Sequence, residues 1–169
     1  MIKQKILANW NYIEREYKIE SSNLFGTLGG LLIGGIGGVG IAPEIPKFIA
    51  TDNRSKFYEE ICRYCDSKNF SETELYNRAK ISRAVFSNIR SMSRKDYLPS
   101  KSTAIRICLA LELSKDQSQK LLEILGYHLS DSLIVDKVIA WCMENRCFDI
   151  NDIDDAIHEQ TGKFFLTRD

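Results

Sequence analysis

LFGTLGGLLIGGIGGVGIA, from Leu24 to Ala42, carries eight of the chain's ten glycines and no charge, and it lies between Glu20 and Glu44. As an α-helix these nineteen residues rise about 28 Å, close to the roughly 30 Å hydrocarbon core of a bilayer. Gly26, Gly30, Gly34 and Gly38 recur every four residues, so they advance by about 40° per step and draw one narrow stripe along such a helix. Leu28, Leu32 and Ile36, with Phe25 and Val39, fall on the opposite arc. A helix with one smooth backbone face and one bulky face lets like helices approach closely, and three GxxxG units in one register repeat that pattern. The stretch is thus read as a glycine-zipper helix for oligomerisation in a membrane. A buried soluble element or a loop stays open beside it, because each interior glycine costs about 1 kcal/mol of helix stability in water. Leucine and isoleucine between the glycines speak against a plain linker, whose usual filler is serine.

Upstream, Ile2, Ile6, Trp10, Ile13 and Tyr17 recur at spacings of four, four, three and four, with charged and amide residues between them. That periodicity predicts an amphipathic helix, whose apolar face packs on the chain's own core or lies at a membrane surface with Trp10 and Tyr17 at headgroup level. Downstream, Pro43 and Pro46 end the glycine stretch. The first 46 residues are therefore read as a membrane-active and oligomerisation segment.

Beyond Pro46 the text is helical throughout, and the fold class expected is all-α. Asp52 is expected to cap a helix through Asn69 with Phe57, Ile61, Tyr64 and Cys65 inward. Ser71-x-x-Glu74 opens a short helix through Lys80, and Ser82 caps another to about Ser91. A longer helix follows from Thr103 to Leu113. Ser114-x-x-Gln117 opens one closed by Gly126, Asp131 or Ser132 starts one with Leu133, Ile134, Val138 and Trp141 inward, and Asn151 starts a last one ending at Gly162.

Two short helices joined by a tight turn, then a loop and a longer helix, outline a helix-turn-helix bundle over residues 47–127, with two extra helices over 128–169. ETELYNRAKISRAVFSNIR resembles the second and third helices of the XRE/Cro-like family, and YLPSKSTAIRICLALELS resembles its approach and fourth helix. That resemblance, covering roughly Asn53 to Tyr127, implies a core of Leu75, Ala79, Ile81, Val85 and Ile107. It implies a recognition helix presenting Arg83, Ser87, Asn88 and Arg90. Lys80 stands where many members have glycine before the turn, and SMSRKD lengthens the loop after the recognition helix. LGYHLSDSLIVDKVIAWCMENRCFDINDIDDAIHE resembles the extension that follows a subclass of XRE-like domains in Gram-positive bacteria. That subclass has no generic enzymatic activity of its own.

The formal net charge of zero is a cancellation. From Arg78 to Arg106 eight basic residues, Arg94 and Lys95 among them, face the single acid Asp96; from Glu112 to Glu159 eleven acids face four bases. Such a split suggests a polyanion-binding face or head-to-tail association of copies. The surface expected to hold a partner or nucleic acid is Arg83, Ser87, Asn88, Arg90, Arg94 and Lys95. Five cysteines fit a reducing compartment, and Cys62-x2-Cys65 with Cys142-x4-Cys147 read as buried helix positions rather than a zinc site. His128 and His158 have no nucleophile or ligand pattern near them, and the glycines match neither GxxxxGK[ST] nor a GxGxxG fingerprint after a strand. No enzyme, cofactor or metal is expected.

A small recognition domain tied to a GxxxG helix resembles, in architecture, bacterial phage-defence effectors of the abortive-infection type that oligomerise on a phage-encoded trigger and permeabilise the host membrane. The resemblance implies a homo-oligomer, a ring-forming phage protein as trigger, and a protein cytoplasmic when inactive and membrane-associated on activation. The alternative is a DNA-binding regulator of the XRE class with a glycine-rich dimerisation helix.

Overall fold

The computed structural model describes residues 1–19, 54–92 and 97–167, and these fold as nine α-helices with no strand among them. In order they are α1 (Ile2–Ala8), α2 (Trp10–Arg15), α3 (Arg54–Lys68), α4 (Glu72–Arg78), α5 (Arg83–Arg90), α6 (Lys101–Ala110), α7 (Lys115–Glu123), α8 (Ile134–Glu144) and α9 (Ile150–Thr161). The glycine-zipper positions Gly26, Gly30, Gly34, Gly38, Leu28, Leu32 and Ile36 lie outside the described residues, as do Asp52, Arg94 and Lys95.

Two helices set the architecture. In α6 every residue from Thr103 to Ala110 is buried, and in α8 every residue from Asp136 to Met143 is. A helix buried all round must be covered on every side. Cover for α6 comes from α4, α7 and α9, and for α8 from α2, α7 and α9, while α1 lies along α9. Met1–Ile19 and Asp52–Asp169 therefore belong to one compact unit.

The apolar face expected at the N-terminus packs on that unit: Ile6, Trp10, Ile13 and Tyr17 are all buried. It is carried by two short helices rather than one. Asn9, at φ −104° and ψ 6°, breaks the run, and its side-chain amide donates to the Lys5 carbonyl at 2.8 Å, offering the backbone an alternative to the helical ladder. The break lets α1 follow α9 while α2 follows α8.

Serine caps open the middle helices where the text places them. Ser71 Oγ accepts from Glu74 N and Ser82 Oγ from Val85 N, both at 3.1 Å, and Ser114 with Gln117 forms a reciprocal capping box. Three starts differ from expectation. The helix expected from Thr103 begins at Lys101, because Ser100 Oγ accepts from Thr103 N at 3.1 Å. The helix expected from Asp131 or Ser132 begins at Ile134, because Asp136 reaches back to accept from Ser130 N at 2.8 Å and Asp131 is turned onto Ile19 N at 2.7 Å. Leu133, expected inward, is 54% exposed as a result. The last helix, expected from Asn151, begins at Ile150, because Asp149 caps it by accepting from Asp152 N at 2.9 Å; it ends at Gly162 with φ +72° as expected.

Four helices end on a left-handed residue that is not glycine: Asn69, Lys80, Glu112 and Arg146, with φ between 49° and 55°. Each makes the paired closing bonds of a Schellman turn, as where Ile81 N donates to Tyr76 O at 3.1 Å and Lys80 N to Asn77 O at 3.2 Å. A side chain in this region costs about 1–2 kcal/mol, partly offset by the entropy that glycine loses on folding. Lys80→Gly is therefore expected to stabilise the unit by about 0.5–1 kcal/mol and raise the Tm by about 2 °C in calorimetry. A lower Tm would contradict this account of the turn.

Candidate recognition surface

The tight turn between α4 and α5 is held from inside the molecule. Arg106, in the buried α6, is only 5% exposed; its guanidinium donates to the Lys80 carbonyl and to Thr103 Oγ1, both at 3.2 Å. Leu75, Ala79, Ile81 and Ile107 are buried around it, with Val85 half-buried.

On α5, Arg83, Ser87 and Arg90 share one face, since steps of four and seven residues return nearly to the same angle. Asn88 sits about 140° around from Arg83 at 100° per residue, and both it and Ser87 are half-buried. The four expected residues thus share a helix but not a face. At the C-terminal end of α5 the exposed Arg90 is paired: its Nη1 donates to Glu72 Oε2 at 3.1 Å. The Tyr58 hydroxyl donates to the other oxygen of Glu72, and the Tyr58 ring meets Phe86 edge-on with centroids 6.4 Å apart. Burial first, and then the Glu72 carboxylate, push the Tyr58 phenol above its ordinary range. It stays protonated as a donor, so one carboxylate ties α3, α4 and α5 together.

This pattern repeats across the basic segment. Arg78 pairs with Glu112 and lies over the Phe70 ring at 4.4 Å, and Lys101 pairs with the buried Asp136. With Arg90 and the interior Arg106, half of the eight basic residues between Arg78 and Arg106 are committed within the fold. Lys80 and Arg83 are exposed and flank the N-terminus of α5, which has no acid in its first turn. The helix N-terminus adds partial positive charge beside these two cations.

In the acidic segment Asp136 and Asp154 are buried. Asp154, 1% exposed, accepts from Phe165 N at 2.7 Å, Leu166 N at 2.8 Å and Thr167 N at 3.0 Å, so it fastens the residues after α9. Glu144 pairs with Lys115.

A cleft of about 420 Å³ opens elsewhere, lined by Ile2, Arg78, Leu109, Ala110, Glu112, Arg146, Phe148 and Asp149. Its walls mix charges of both signs with an apolar floor. Nothing in the sequence pattern marked it, because its residues come from four separate stretches. Cys65, Cys108, Cys142 and Cys147 are buried; burial pushes the Cys65 thiol up to about 11 and the Cys108 thiol up to about 12. No group of three metal-ligating side chains occurs among the described residues. His158 stacks on Phe164 with ring centroids 4.0 Å apart. The arrangement offers ionic and shape recognition.

Compared with known proteins, the chain matches no protein-family model, and no curated protein or solved structure matches it.

The carboxylate joining three helices generates a prediction. Glu72→Gln releases Arg90 and weakens the bond from Tyr58, so the unit should lose about 1 kcal/mol in urea titration. With Arg90 freed, the salt concentration needed to elute the protein from heparin should rise. Unchanged stability and unchanged elution would show that Glu72 holds neither partner.

Proposed function

We propose that this protein is a membrane-permeabilising effector of the phage-defence, abortive-infection kind. A trigger, of which a ring-forming phage protein is the expected form, brings copies together, and their Leu24–Ala42 stretches associate as glycine-zipper helices in the bilayer. The carrying observation is that stretch itself: nineteen uncharged residues with three GxxxG units in one register, placed between two segments of one helical unit. Among the described residues no helix is long and apolar enough to cross a membrane, so this stretch is the part of the chain that fits the task.

The rival reading, a DNA-binding regulator, drew its warrant from the surplus of positive charge between Arg78 and Arg106. Arg78, Arg90 and Lys101 are paired with acids of the same fold and Arg106 is buried, which reduces the charge left for a polyanion. Lys80 and Arg83 remain exposed for a partner's acidic groups.

Wild type and the Gly30→Leu/Gly34→Leu variant, expressed in bacteria and added as purified proteins to phosphatidylglycerol–phosphatidylethanolamine vesicles, separate the readings. Leucine adds apolar area and helix propensity, yet it blocks close helix approach. The variant should still reach membranes while losing oligomers, dye release and toxicity. Unchanged dye release and toxicity in the variant would overturn the packing stripe. A wild type that stays off membranes, causes no leakage and binds one DNA sequence in a salt-sensitive way would establish the regulator instead.

A further inference from the structure

Resting on the membrane reading above, one consequence follows from where the flanks of the glycine stretch are held. Residues on both sides of Glu20–Thr51 belong to the same folded unit, Met1–Ile19 and Asp52–Asp169. A segment whose two ends are fixed to one body leaves and returns on the same side of a membrane. Two crossings need about 40 residues at about 20 per helix, more than the 32 residues of Glu20–Thr51, which also include Glu20, Glu44 and Lys47. One crossing fits Leu24–Ala42, but it places Ile19 and Asp52 on opposite faces.

We infer that the docking of α1 and α2 on α8 and α9 is a latch: the chain cannot span a bilayer while they are seated, and their release is an obligatory step of insertion. The smaller flank is the one that moves, since Met1–Ile19 is a strip on the surface of α8 and α9, whereas Asp52–Asp169 contains both buried helices.

The latch is built from apolar and polar parts. Ile6 and Ile13 are fully buried, with Trp10 and Tyr17 at 8% and 6% exposure. Polar ties run along the strip: Lys3 Nζ to Glu159 at 2.9 Å and Lys3 N to Asp152 at 3.3 Å, Lys137 Nζ to the Glu14 carbonyl at 2.7 Å, and Ile19 N to Asp131 at 2.7 Å, at the point where the chain departs toward the glycine stretch. The same amphipathic strip has a second place to go. Released, Ile6, Trp10, Ile13 and Tyr17 suit a bilayer interface, where an indole and a phenol sit at headgroup level. Exchange of protein for lipid as the partner of this face offsets the cost of opening. It also uncovers the apolar face of α8 and α9, which draws copies of the chain together.

The test locks the latch covalently and reversibly in the full chain. Lys3→Cys/Asp152→Cys joins α1 to α9 across an existing hydrogen bond, and Ile19→Cys/Asp131→Cys provides a second, independent lock should the first fail to fold. Dye release from the same vesicles, and protease protection of an N-terminal tag, are read with the disulfide oxidised and reduced, beside the wild type and the latch-weakened Asp131→Ala/Lys137→Ala variant. The expected order of leakage is weakened above wild type above oxidised lock, with reductant restoring the locked protein, and the tag changes its protease accessibility only when the latch can open. Leakage from the oxidised lock equal to that from its reduced form overturns the latch while leaving the membrane reading standing. No leakage and no binding from any protein, the weakened variant included, overturns both.

Discussion

Two helices without a polar face, α6 and α8, are the constraint from which the rest of the described structure follows. Each must be enclosed, and the residues nearest in sequence do not suffice. The cover for α8 is completed by α2, more than a hundred residues upstream, and α1 closes over α9. The glycine stretch thus lies in the sequence between two segments that pack as one unit. Ile6, Trp10, Ile13 and Tyr17 each contribute about 1.5–3 kcal/mol when fully buried, so together they rival the net stability of a small domain. Seating the N-terminal strip completes the cover of α8 and α9.

Buried charges fasten the junctions between these helices and their connections. Arg106 holds the carbonyl of the α4–α5 turn, Asp136 holds Ser130 N and Lys101, Lys137 holds a carbonyl of α2, and Asp154 gathers the backbone after α9. A charge taken out of water is costly unless it is bonded, and each of these is. Their partners are largely backbone groups of loops and helix ends, which puts buried charge to use in fixing where the connections run.

Much of the fold was legible because its signals are local. The seven- to twelve-residue helices announce themselves through serine caps such as Ser71, Ser82 and Ser114 and through the glycine at 162, and the apolar period of Ile6, Trp10, Ile13 and Tyr17 marks the face that packs on the core, the first of the two places the sequence left open for it. What was not legible depends on partners distant in sequence. Nothing near Asp131 reveals that it is taken by Ile19, and so the start of α8 slips to Ile134 and Leu133 turns outward. The partners of Arg90 and Arg106 are hidden by distance along the chain, since Glu72 lies eighteen residues from Arg90 and the Lys80 carbonyl twenty-six from Arg106. The cleft lined by Ile2, Arg78, Leu109 and Phe148 is likewise a product of packing. Lys80 is the instructive case between: the departure from glycine is visible in the text, and the left-handed backbone is retained despite it.

On the latch proposal, the N-terminal strip is a structural part of the helical unit until a membrane takes it over. Hydrogen exchange of the full chain, followed by mass spectrometry with and without anionic vesicles, tests this most directly. The amides of Ile6 to Ile13 should exchange in solution as slowly as those of the buried α6 and α8, and should lose that protection to a distinct faster pattern when vesicles are bound and leaking. Fast exchange of Ile6 to Ile13 in solution, at the rate of a fraying terminus, or protection unchanged while vesicles leak, would contradict the account.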